Sequence, residues 1–144
     1  MALRQLTMAP RTRAQLAEKM AAREVPADIA VEVLDRFEEV GLVDDRAFAE
    51  GWVRSRSVGR GRRALAQELR RKGVDDETAQ EALETVDHDT QTDAARDLVR
   101  RKLRSTVGLE RAVRERRLFG MLARRGFPTD VVLRVVREEL DGQA

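Results

Sequence analysis

Along nearly the whole chain, apolar residues recur at i, i+3, i+4 and i+7, the spacing that gathers them on one side of a helix. No stretch alternates apolar and polar residues as a half-buried strand would. The pattern predicts an all-α protein. Three stretches also lie over one another: Leu16, Met20, Glu24, Val25, Ile29, Leu34; then Leu65, Leu69, Gly73, Val74, Thr78, Leu83; then Leu118, Leu122, Gly126, Phe127, Val131, Val136. Their internal spacings are identical, and the copies are offset by 49 and then 53 residues. Repetition at such a period marks stacked helical units. The predicted fold is three tandem three-helix repeats of helix–turn–helix outline, at residues 1–43, 44–87 and 88–144.

Each copy reads as helix, tight turn, helix. Gly73 and Gly126 stand where a helix ends on a left-handed residue, a conformation glycine adopts without steric cost. Glu24 occupies that slot in the first copy, so a different turn geometry is expected there. Asp75-Asp76-Glu77 and Pro128 open the following helices, and Thr12 with Gln15 has capping-box spacing ahead of Leu16. A further helix precedes each pair, from about Asp45 to Ser57 in the second copy and from about Asp89 to Arg104 in the third. In the first copy only Met1 to Leu6 remains of it, so the natural protein is expected to begin upstream. Phe48 and Trp52, one turn apart, are expected to bury together with Leu65, Leu69, Leu118, Leu122 and Phe127 as a core between repeats.

Composition narrows the class of function. Of the 42% apolar residues, 19 are alanine, and the aromatics are four Phe and one Trp. This favours thin cores spread along helices. The absence of cysteine removes disulfides and thiolate chemistry. No apolar run approaches the ~18 residues of a membrane span, and no secretory leader is apparent. The chain reads as soluble, cytoplasmic and monomeric.

Net charge is only +2, but it is banded. Residues 54–72 hold eight basic groups and one acid; residues 74–93 hold eight acids and no Lys or Arg; residues 96–125 hold eleven basic groups and three acids. Arginine supplies 25 of the 28 cations and presents a planar fork suited to phosphate and carboxylate.

Catalytic chemistry finds little support. His88, the one histidine, lies between Asp87 and Asp89 and reads as a solvated linker residue more readily than as a base. Asp44-Asp45 reads as a helix cap more readily than as a metal pair. Gly59 and Gly61 flank Arg60, but no phosphate-cradling GxxxxGK[ST] follows. No catalytic residue, metal or cofactor is expected. The arginines say more. From Gly61 to Lys72, Leu65 and Leu69 point one way, while Arg63, Gln67 and Arg70 lie roughly opposite at ~100° per residue, with Arg71 at the flank. The third copy has Arg116 and Arg124 at matching positions. The first has Ala14, Ala21 and Ala22. Anionic polymers are the natural partners of such a face, and an acidic protein surface fits it equally well. The helix–turn–helix outline invites a major-groove reading, but αα-hairpins of this form are common in repeat proteins that enter no groove. Few exposed aromatics are expected, which argues against base stacking as the main mode.

Gly41-Leu42-Val43-Asp44-Asp45-Arg46-Ala47-Phe48-Ala49 resembles a signature of the RecX family of recombinase regulators. The run from Gly61 to Val74 resembles that family's second signature, and Arg124-Arg125-Gly126-Phe127 its third. The likeness covers essentially the whole chain, with Glu24 and the short first helix as departures. It implies an elongated, curved array of three-helix units. It implies as partners the RecA filament and DNA, single-stranded or also double-stranded, and as function a restraint on RecA ATPase and strand exchange. A stand-alone DNA-binding protein is the alternative that the basic faces leave open. Arg62, Arg63, Arg70, Arg71, Arg100, Arg101, Arg104, Arg116 and Arg124 are the expected partner-binding residues.

Overall fold

A computed structural model describes residues 10–143. Among these residues the secondary structure is helical throughout, with no strand. Helices α1 (Arg13–Ala22) and α2 (Ala27–Glu39) belong to the first unit. The second holds α3 (Asp45–Arg56), α4 (Arg62–Arg71) and α5 (Asp76–Leu83). The third holds α6 (His88–Lys102), continued by a 3-10 turn at Leu103–Thr106, then α7 (Arg111–Arg124) and α8 (Thr129–Asp141). The helix expected at Met1–Leu6 lies outside the described residues. No described helix is long and apolar enough to cross a membrane.

Caps set these boundaries. Thr12 and Gln15 form the capping box, each satisfying the other's backbone N–H. Asp44, Asp75 and Asp87 cap α3, α5 and α6 by accepting from Ala47, Thr78 and Thr90. Those backbone donors, joined by the threonine hydroxyls, hold Asp75 and Asp87 below the usual carboxylate range.

The three turns share one geometry. Val25, Val74 and Phe127 each donate back five residues, to Met20, Leu69 and Leu122. The residue before each donor is left-handed: φ is 60° at Glu24, 86° at Gly73 and 87° at Gly126. The expectation of a different turn at Glu24 is therefore corrected. The hydrogen bonds and the apolar residue that follows impose the turn even on a residue with a Cβ.

A second correction concerns the core. Leu65, Leu69, Leu118, Leu122 and Phe127 do not meet across repeats. Leu65 and Leu69 pack with Ala49, Val53, Val74 and Leu83 inside the second unit. Leu118, Leu122 and Phe127 pack with Leu98, Val99, Val131 and Val135 inside the third. The first unit has its own cluster of Leu16, Met20, Ala30, Leu34 and Val43. Phe48 and Trp52 are only partly buried against the second core. The physical reason is the thin apolar stripe: two leucines per helix suffice for one side of a small unit and leave nothing for a neighbour. Every substantial helix–helix contact lies within a unit.

The units instead join end-on, through the start of one helix and the turn of the next unit. The first N–H groups of a helix lack intrahelical partners. In the second-to-third junction, Gly61 donates to the Arg125 carbonyl (2.8 Å), Arg63 to that of Gly126 (3.2 Å), and Arg62 to Oε1 of the buried Gln91 (3.0 Å). In the first-to-second junction, the Arg13 N–H donates to Asp45 Oδ1 (2.9 Å) and the Thr12 hydroxyl to the Lys72 carbonyl. Burial pushes the Asp45 carboxyl up against the opposing pull of that N–H. Both junctions need missing side-chain bulk. A Cβ on Gly61 would lie 2.4 Å from Gly126 backbone atoms, and one on Gly73 would lie 2.2 Å from Ala14 Cβ. Relative to its first core leucine, α7 starts seven residues ahead, where α1 and α4 start three ahead. Its extra turn is held by Arg111 to Asp141 (2.7 Å) and Arg114 to Gln143 (2.7 Å).

Two outcomes follow. Replacing Glu24 by glycine relieves a left-handed Cβ worth roughly 1–2 kcal/mol, partly offset by about 0.5–1 kcal/mol of unfolded-state entropy. Urea titration should show the variant more stable by a few tenths to about 1 kcal/mol; a loss of stability would contradict the shared turn. Gly61→Ala should leave helicity by circular dichroism unchanged, because no core is touched. It should abolish hydrogen-exchange protection at the Gly61 and Arg63 amides. Retained protection there would show that the junction does not depend on this close approach.

A candidate anion-binding surface

The arginine faces follow from the cores. With Leu65 and Leu69 fully buried on α4, Arg63, Gln67, Arg70 and Arg71 stand exposed on the other side. Arg62 is half-buried, held near the junction that its backbone makes. Arg70 is turned onto Asp76, with hydrogen bonds of 3.2 and 3.3 Å. Arg63 and Arg71 face no carboxylate among the described residues.

On α6 the cations divide. Arg96 bonds Glu138 (2.8 Å) and Glu139 (3.1 Å), and Arg100 bonds Glu139 (3.0 Å). The bonds to Glu138 and then Glu139 raise Arg96 above the ordinary guanidinium value, and Arg96 followed by Arg134 holds Glu138 low. The acidic end of α8 thus neutralises one side of α6. Arg101, Lys102 and Arg104, one turn further on, are exposed and carry no carboxylate partner among the described residues.

Helix α7 completes this second basic patch. Buried Leu118 and Leu122 force Arg116, Arg117 and Arg124 outward. These three, with Lys102, Ser105 and Met121, line an open cleft of about 550 Å³. The Arg124 guanidinium lies against Gly120, where a Cβ would come within 2.9 Å of it. Arg114, on the same helix, bonds Thr106 at the edge of the cleft (3.0 Å) and Gln143. The cleft therefore gathers four cations from two helices with no internal acid, an arrangement suited to phosphate oxygens or to a carboxylate-rich protein surface.

Of the nine arginines that the sequence points to, the structure brings Arg116 and Arg124 together and sets Arg101 and Arg104 near the same end of α6. Arg63 and Arg71 lie on the second unit. Arg70 and Arg100 are engaged on their own chain. Sequence reasoning misses Lys102 and Arg117. Arg117 adjoins Arg116 and is legible as a second cation, but the meeting of α6 with α7 is a tertiary fact.

A third feature lies where the first two units meet. Phe48 and Trp52 stack with ring centroids 6.0 Å apart and an interplanar angle of 17°. Trp52 Nε1 donates to Glu68 (3.1 Å). The Arg56 guanidinium lies 3.5 Å and the Lys72 ammonium 4.3 Å from the indole centroid. Phe48, Trp52, Arg56 and Lys72 wall a groove of about 440 Å³ that also takes in Pro10, Arg11 and Gln15. His88 is exposed at the start of α6, and Asp44 caps α3. Among the described residues no group of three His, Cys, Asp or Glu is placed to hold a metal.

Comparison with known proteins agrees with this architecture unit by unit. Models of the first, second and third three-helix domains of RecX match residues 1–37, 44–83 and 89–136. The regulatory protein RecX of Streptomyces coelicolor is 56% identical, over 96% of this chain and 75% of its own length. That of Thermobifida fusca is 53% identical, over 98% of this chain and 77% of its own. The crystal structure of RecX from Lactobacillus salivarius superposes with a TM-score of 0.90 at 22% identity, covering 95% of this chain and 90% of that one. With all three domains matched in order and relatives this similar along nearly its full length, the chain belongs to the RecX family of regulatory proteins.

Proposed function

We propose that the protein is a non-enzymatic regulator of the RecA recombinase, acting in the cytoplasm as a monomer. It binds the RecA filament on single-stranded DNA and restrains ATP hydrolysis and strand exchange. Family membership supports the regulatory role. The observation that carries the binding mode is the cleft between α6 and α7, where Lys102, Arg116, Arg117 and Arg124 converge without an internal counter-charge. Cations already paired on their own chain gain little from a partner, because an exposed pair must be exchanged for another. Unpaired cations release counterions when they meet an anionic polymer. The cleft is therefore assigned the stronger interaction, and Arg70 and Arg100 the weaker.

RecA-catalysed ATP hydrolysis on single-stranded DNA, measured with the protein at sub-stoichiometric and saturating ratios, tests the role. Inhibition at fewer than one protein per RecA is expected. No inhibition at any ratio would sink the regulator reading, and inhibition confined to limiting DNA would make the protein a free-standing DNA binder. The cleft has its own test. Arg116→Ala with Arg124→Ala should weaken binding to single-stranded DNA evenly across sequences. The slope of log K against log salt should fall by about 0.7 for each phosphate that is no longer neutralised. Arg70→Ala with Arg100→Ala should change both far less; equal effects in the two pairs would show that intramolecular pairing does not decide where the strand binds.

A further inference from the structure

We propose that the groove around Trp52, where the first and second units meet, is a stacking subsite for an unpaired nucleobase. This rests on the reading that the protein works on single-stranded DNA. The sequence holds five aromatic residues, too few to suggest stacking. The structure places two of them together, half-buried and facing an open groove rather than enclosed in a core.

The indole is built as a platform. Phe48 stacks beside it, and the bond from Nε1 to Glu68 fixes its edge. Arg60 also reaches Glu68 (3.2 Å), which steadies the acceptor. A half-buried tryptophan anchored in this way loses little freedom when a flat partner arrives. The rim is cationic: Arg11, Arg56 and Lys72 border the groove, and none of them pairs with a carboxylate among the described residues. An apolar aromatic wall beneath a cationic rim is the pairing of features that single-stranded nucleic acid requires, bases on the wall and phosphates on the rim.

Arg56 and Lys72 both lie over the half-buried indole. Each such cation is worth roughly two- to five-fold in an equilibrium constant where water still reaches the ring, whereas a base stacked on an aromatic side chain is worth roughly five- to 150-fold, so a stacked base can displace them. A base that takes the ring face also frees the guanidinium to meet the adjoining phosphate. The groove volume of about 440 Å³ suits a flat ring system with part of its backbone. A peptide would meet the same cations, but it offers no repeated π-face matched to a single platform.

Trp52 is the only tryptophan and the chain has no tyrosine, so intrinsic fluorescence reports on this groove alone. The full chain is titrated with oligothymidylate and with an abasic strand of equal length, and occupancy is followed independently by anisotropy of an end label. Oligothymidylate should quench Trp52 as it binds, and the abasic strand should bind with little quenching. Equal quenching by both strands, or none at saturating occupancy, overturns the subsite. Quenching by RecA protein alone, with none by oligothymidylate, also overturns it and gives the groove to a protein partner. Trp52→Leu should weaken oligothymidylate binding by roughly five- to 150-fold and leave the salt slope unchanged, while Trp52→Phe should recover much of the affinity. An equal weakening for the abasic strand would make the role structural. Failure to inhibit RecA with quenching intact would reject the regulator reading and leave the stacking subsite standing.

Discussion

The protein depends on one recurrent constraint, the satisfaction of backbone N–H groups at the start of a helix. A free helix start leaves such groups to water or to a cap. Here α1 and α4 give part of that role to the following unit. The Gly61, Arg62 and Arg63 amides all find acceptors in the third unit, and the Arg13 amide finds one in the second. Amide and carbonyl must approach closely for this, which is why Gly61 meets Gly126 with no side chain between them. The junction is polar, directional and narrow. It fixes where a unit sits without drawing on the scarce apolar surface of a chain so rich in alanine.

Separate cores and polar junctions then decide how charge is displayed. Each small unit buries two apolar residues of its middle helix and exposes half of the rest. Acids gather on the helix that closes the third unit, where Glu138, Glu139 and Asp141 engage Arg96, Arg100, Arg111 and Arg134. That pairing holds α6, α7 and α8 together at their outer edges. It also leaves Lys102, Arg116, Arg117 and Arg124 uncompensated at the other end of α6. The banding of charge along the sequence becomes, in the folded chain, a separation between a neutralised end and an open basic cleft.

Much of this is legible in the sequence. The apolar repeat marks three units, and the glycines and capping residues place the turns, because both signals act within a few residues. The first-unit turn escapes a reading that equates a left-handed residue with glycine. At Glu24 the hydrogen bond from Val25 to Met20 overrides that local preference. The core leucines are recognisable as buried, but their assignment to an interface between repeats does not hold. Periodicity tells which side of a helix is buried, and it carries no label for what buries it. Gly61 reads as the start of a helix, and only its approach to Gly126 shows that it is a joint. Which arginines are free is equally hidden, since it turns on carboxylates some 40 residues away, as Arg96 and Arg100 meeting Glu138 and Glu139 show.

The same economy bears on how such a chain meets a long partner. A body with one continuous core holds its surface patches at fixed separations, and a mismatch with a periodic target strains the whole. In units with private cores the spacing of patches rests on the joint alone, which consists of a few hydrogen bonds and a glycine contact. The Trp52 groove lies at the first joint, and the four-cation cleft lies wholly within the third unit. The two sites are thus separated by the second-to-third junction, and their spacing is set by backbone hydrogen bonds at Gly61 and Arg63. In the binding mode proposed above, that junction sets how far the two sites stand apart.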